Sequence, residues 1–221
     1  ISGATIDQGT GNDSVFFGTA SELTGTTLTG SGADTFNLQG VNTAVFGALS
    51  TAASQVSFGA NADQATSTGA IGVGSIYGGA GADTLDFNAA VGAATIDAGV
   101  GADSVAFGDV GGAASSDAGA YADTLTFTDR VSGATLSGLD TSGDLVSFSA
   151  QSSATFSDIN DGAQVSFGAG ADAGTFAGTI GIASVYGGDA ADTFDFNGAV
   201  GAATIDAGAG ADSFHFADVV G

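Results

Sequence analysis

Aspartate closes a glycine-rich turn again and again along this chain, at Asp13, Asp34, Asp83, Asp103, Asp123, Asp192 and Asp212. At Asp97–Asp103 and Asp206–Asp212 the turn reads D-x-G-x-G-A-D, with variants at Asp7–Asp13 and Asp117–Asp123. Glycines such as Gly79, Gly81, Gly99, Gly101, Gly208 and Gly210 allow positive φ and let backbone carbonyls converge on one point. Converging carboxylates and carbonyls, without nitrogen or sulfur, describe a hard-cation site. Calcium suits flexible, all-oxygen ligation better than magnesium does. The candidate ligands are therefore Asp7, Asp13, Asp34, Asp97, Asp103, Asp117, Asp123, Asp206 and Asp212 with their glycines, together with Asp83 and Asp192.

These turns need elements that repeat at the same step. Asp83 and Asp103 are 103 − 83 = 20 residues apart, as are Phe87 and Phe107. A fixed step of this size marks a solenoid, whose repeats cannot bury their apolar faces alone. In T-L-D-F, Leu85 and Phe87 alternate with Thr84 and Asp86, the period of a half-buried strand. The fold class expected is all-β: a parallel β-solenoid, β-roll or β-helix, with two short strands per coil. Stacking at about 4.8 Å aligns Phe17, Phe58, Phe87, Phe107, Phe127, Phe148, Phe167, Phe196 and Phe216 in one internal column. Stacked acids at that spacing repel by about 0.9 kcal/mol in water and by more at a protein edge, so a bound cation should bridge them.

Two steps, Phe58 to Phe87 and Phe167 to Phe196, span 29 residues instead of 20. Residues 56–110 and 165–219 align without a gap, a shift of 165 − 56 = 109 residues. This reads as a five-coil super-repeat: one solenoid over 1–221, in modules of approximately 1–110 and 111–221. The acid is missing at Ala163, and the Thr135 coil carries an extra residue, so the row should be broken or altered at both.

Composition narrows the partners. The chain has 24 Asp+Glu against one Lys+Arg, a formal charge of −23, and no Pro, Cys, Met or Trp. Such acidity argues against nucleic acid and anionic membranes and for cations. The absence of Cys removes disulfides and thiolate chemistry. No apolar run approaches the roughly 18 residues that span a bilayer. With no initiator Met, the chain reads as a segment or mature piece of something longer.

The segment G-G-A-G-A-D-T-L-D at Gly78–Asp86 resembles the nonapeptide of RTX repeats at every specified place. Gly187–Asp195, Ala98–Ala106 and Ala207–His215 match less fully. The resemblance implies a secreted calcium-binding β-roll in which Asp side chains and turn carbonyls hold Ca2+ between neighbouring coils. Only one edge of each coil carries the motif, so one calcium row is expected. The function expected is an extracellular, calcium-stabilised structural solenoid that self-assembles as a surface-layer, filament or sheath subunit, not an enzyme. The alternatives are a calcium-dependent adhesin stalk, an ice-binding solenoid and a polysaccharide-modifying module. Partners are further copies of the chain, joined coil on coil or laterally, and a cell-surface polysaccharide.

Other residues invite plainer readings. Asp86, Asp195 and His215 face outward, the last as a surface imidazole. Asn88 and Asn197 cap the second turn. Arg130 pairs with Asp129. Tyr77 and Tyr186 occupy equivalent turn-edge places. Thr95, Thr135, Thr155 and Thr204 form an outward ladder interrupted by Ser75, Ser115 and Ser184, which is the basis of the ice-binding alternative.

Overall fold

The computed structural model describes residues 1–221 except 20–21, 41, 50–53, 73, 140–142, 161, 182 and 218–221. The extra residue of the Thr135 coil falls near 140–142, outside the described residues. Those described form twenty-two strands and no helix. The strands lie in two parallel eleven-stranded sheets, odd-numbered strands in the first and even-numbered strands in the second. Each coil therefore lays one strand in each sheet, and the two inner faces enclose the core.

Period-two alternation sets which side chains enter that core. In the strand Thr84–Phe87, Leu85 and Phe87 are buried while Thr84 stays open. Coil after coil repeats the choice in register, so Ala65, Leu85, Val105, Leu125, Val146, Val165 and Val185 form one aliphatic column of the first sheet. The facing column of the second sheet runs Val56, Ile76, Ile96, Ser116, Leu136, Phe156, Phe176 and Phe196.

The internal Phe ladder is present, laid in two runs on opposite sheets, while Phe17 and Phe58 join neither and flank Leu38 in a column of their own. Phe87, Phe107, Phe127, Phe148 and Phe167 stack on the first-sheet side, with centroids 5.3, 4.7, 4.7 and 5.0 Å apart. Phe156, Phe176, Phe196 and Phe216 stack on the second, at 4.9, 4.8 and 4.8 Å. Near-parallel rings at one strand spacing each add roughly 0.5–1.5 kcal/mol beyond area burial.

The reason for two runs is the pair of long steps. The extra residues of each build one further strand, Gln64–Ser67 and Ala173–Phe176. A normal step spans two strands and returns to the same sheet; a long step spans three and arrives in the other. The super-repeat thus holds eleven strands, five and a half coils where five were expected. Thr84–Phe87 lies in the first sheet and its counterpart Thr193–Phe196 in the second. The outward hydroxyl ladder divides likewise: Ser75, Thr95, Ser115, Thr135, Thr155 and Thr175 are in register on the second sheet, and Thr204 lies on the first.

Small residues make the second changeover possible. Gly174 faces inward, and a Cβ there would stand 3.0 Å from the ring of Phe194 and 3.1 Å from those of Phe167 and Phe176. The two Phe runs meet across this gap.

Ser116 is the weak point of the core. It is 3% exposed between Ile96 and Leu136, and its hydroxyl has no hydrogen-bond partner. An unsatisfied buried hydroxyl costs about 1–3 kcal/mol. Ser116→Val should raise stability by about 1 kcal/mol in a denaturant melt, whereas Phe127→Ala should lower it by roughly 3–5 kcal/mol.

Candidate cation sites in the turns

Most of the acids that close the glycine turns are buried, with Asp13 and Asp212 half-buried, and they form hydrogen-bonded rows. In the longest row the backbone N–H of Asp63 donates to Asp83 Oδ1 at 2.8 Å. Asp83 N–H donates to Asp103 Oδ1 and Asp103 N–H to Asp123 Oδ1, both at 2.7 Å, and Asp123 N–H to Asp144 Oδ1 at 2.9 Å. Each carboxylate therefore reaches back one coil and ties its neighbour's backbone. Asn42 begins this row, giving its backbone and side-chain N–H groups to Asp63 Oδ1.

The row does not run along one edge of the molecule. Asp13 and Asp34 precede strands of the second sheet, Asp63 through Asp144 precede strands of the first, and Asp172, Asp192 and Asp212 precede strands of the second again. The expected single column from Asp13 to Asp212 is thus three rows on alternating edges. The added half-coil strands that move the Phe residues move the acids with them. The Thr135 coil does not break its row, since Asp144 continues it at 1% exposure. Ala163 does end it. The third row starts from Ser152, whose N–H donates to Asp172 Oδ1, and continues through Asp192 to Asp212.

Three row members, Asp63, Asp144 and Asp172, were not among the sequence candidates. The signal was available: Asp63 and Asp172 close the G-A-N-A-D and G-A-G-A-D segments inside the long steps. Asp144 closes a turn without the full glycine motif.

The acids that open the turns do different work. Asp7, Asp117 and Asp206 accept from the N–H of Gly9, Gly119 and Gly208. These local bonds pin the glycine that takes positive φ. In successive turns Gly81 and Gly101 hold φ of 117° and 157°, but the equivalent third position is Tyr121, at 88°. Ala190 takes 118° where the next coil has Gly210. A non-glycine residue there carries strain of order 1–3 kcal/mol.

Six of the buried carboxylates have a partner for one oxygen only. Oδ2 of Asp63, Asp83, Asp103, Asp123, Asp172 and Asp192 is buried without a hydrogen-bond partner. The glycines supply a cradle beside it: a Cβ on Gly78 would lie 2.2 Å from the Ala98 carbonyl oxygen of the next coil and 3.0 Å from Asp83 Oδ2. Gly187 repeats this, at 2.3 Å from the Ala207 carbonyl oxygen and 2.9 Å from Asp192 Oδ2. The close approach sets carboxylate and carbonyl oxygens side by side, the ligand type a hard cation takes. Among the described residues no three acidic or His side chains converge as a metal-holding group. A cation would draw on one or two carboxylates and on backbone carbonyls, with Asp97 and Asp117, neighbours in register, on its outer side.

Burial dominates the electrostatics. It pushes Asp83 and Asp123 up to about 7 and Asp172 to about 6, with neighbouring acids adding to the rise. Asp63, Asp97, Asp103 and Asp192 are raised for the same first cause. The row N–H groups oppose the shift without cancelling it.

Remaining candidates fall outside these rows. Arg130 makes no ion pair with Asp129. Among the described residues the ion pair is His215 Nδ1 with Asp195 Oδ1, at 3.7 Å on the outer face. Asn88 and Asn197 make no side-chain hydrogen bond among the described residues, so they do not cap the second turn.

A scan against protein-family models finds no match, and searches of curated proteins and of solved structures find none either.

The raised acids fix the sign of the pH response. The folded state holds protons that the unfolded chain releases near pH 4, so without divalent metal stability should fall between about pH 4 and pH 7 and level off above. A melting temperature that rises over this interval would contradict it. At pH 7.5, Asp103→Asn, which keeps an acceptor for Asp83 N–H, should be at least as stable as the parent. Asp103→Ala orphans that N–H and should cost about 1–3 kcal/mol.

Proposed function

We propose that this chain is a secreted structural solenoid whose coils are clamped by calcium in the buried acid rows. The observation that carries this reading is the set of six unpartnered carboxylate oxygens, two of which, on Asp83 and Asp192, stand beside a glycine and a carbonyl of the next coil. A metal in each cradle would satisfy Oδ2, neutralise stacked charge and join one coil's carboxylate to the next coil's carbonyl. With few formal charges per site, affinity belongs to the weak range of extracellular modules, roughly 10⁻⁴–10⁻³ M. That suits a compartment where calcium is abundant. The RTX-like nonapeptide at Gly78–Asp86 supports the same ligand chemistry.

The structural role draws on the module organisation. Solenoids gain length by repeating coils, and each new coil covers the open face of the last. Phe214 and Phe216, 39% and 42% exposed, leave such a face at Ser213–Phe216. Another coil would cover it, whether of a longer chain or of a second copy. Assembly into a surface layer or filament follows from the second case; an adhesin stalk follows from the first.

Calorimetry at pH 7.5 tests the clamp. Millimolar CaCl₂ should raise the melting temperature by several degrees, magnesium should do less, and Asp83→Asn with Asp103→Asn should blunt the response. Electron microscopy and light scattering with calcium then separate ordered assemblies from monomeric rods. A melting temperature indifferent to calcium would remove the basis of the reading.

A further inference from the structure

The single Lys/Arg of the chain, Arg130, has no salt-bridge partner among the described residues, despite 24 Asp+Glu in the sequence. Its side chain lines a cleft of about 140 Å³ on the outside of the second sheet, with Ser132, Gln151, Ser153, Ala171 and Ala173. That is several times the space one water needs. The cleft lies where the edge changes character. Val110 and Val131 bridge in one apolar column, which passes to Ser152 and then to the Asp172 row. The half-coil slip therefore leaves a notch between an apolar stretch and an acidic one, and the lone cation stands at it.

The donors suit an oxyanion. The guanidinium offers five N–H groups in a planar fork. Ser132 and Ser153 have hydroxyls that donate to no protein acceptor among the described residues. Gln151 is held in place by its Nε2, which donates to the Ala171 carbonyl at 3.2 Å. The row acid Asp172 is 2% exposed and accepts from Ser152 N–H through Oδ1. Asp129 is exposed but unpaired with Arg130. At physiological ionic strength a Debye length of about 8 Å limits how far the chain's other acids reach.

We propose that this notch binds a small carboxylate, such as the uronate of an acidic sugar, with Arg130 gripping the carboxylate and Ser132 and Ser153 bonding its neighbouring hydroxyls. The site uses none of the row carboxylates.

Nuclear magnetic resonance titration tests it, with sodium galacturonate as probe and neutral galactose as comparison. Galacturonate should shift Arg130 Nε–H and the Gln151 and Ser153 amides with roughly millimolar affinity, and galactose should not. Arg130→Gln, whose fold far-ultraviolet circular dichroism would verify, should weaken binding by about tenfold or more. Ser153→Ala should weaken it by a smaller factor. No shift with galacturonate, or equal shifts in Arg130→Gln, would overturn the proposal. So would shifts that appear on concentrating the protein without any probe, since another copy's aspartate would then be the occupant.

Discussion

In a parallel solenoid every position lies about one strand spacing above its own copy. A residue type is therefore chosen for a column. The gain of a good choice and the cost of a bad one are both multiplied. Phenylalanine gains, because Phe107, Phe127 and Phe148 stack at 4.7 Å with nearly parallel rings. Aspartate loses, because the same spacing brings like charges together and buries them. The rows persist because each carboxylate also performs a service: it accepts the N–H of the acid one coil earlier, a backbone donor that would otherwise be buried unpaired.

This constraint explains why the half-coil slips move everything at once. Nothing in the strand ladder distinguishes the sheets, so one added strand shifts all later columns to the opposite face. Gln64–Ser67 and Ala173–Phe176 each do so. The two slips restore the original phase, which is why Asp13 and Asp192 precede strands of the same sheet. One slip together with its coils is a module, and its duplication leaves the acid rows alternating between edges.

Much of this was legible in the residues. The alternation in T-L-D-F gave strand and inward face directly, and the 20-residue step gave the coil. Buried Asp83, Asp103 and Asp123 were marked by their glycines. What could not be read was phase. A 29-residue step looks like a coil with a longer loop until its nine extra residues are recognised as a strand. The alanine and glycine in Ala-Thr-Ser and Ala-Gly-Thr are poor strand formers, and pairing with neighbouring coils makes these segments strands here. Asp144 escaped because its turn spaces its glycines differently from the motif, and Arg130 because sequence adjacency to Asp129 suggests a pair that the strand geometry does not make.

The rows also have a direction. In every rung the N–H belongs to the earlier coil and the carboxylate to the later one. The first member needs to supply a donor alone, which Asn42 and Ser152 do without charge. The last supplies an acceptor, after which Ala163 can close the longest row. Such a chain of bonds fixes register in strands that are otherwise short, rich in Ala and Gly, and interchangeable from coil to coil. A slip by one residue would remove every rung and turn the apolar face outward. The charge that makes the rows costly is thus carried by the same group that makes the stack unique, and neutralising Oδ2 by proton or by metal relieves the cost while leaving the Oδ1 rung in place.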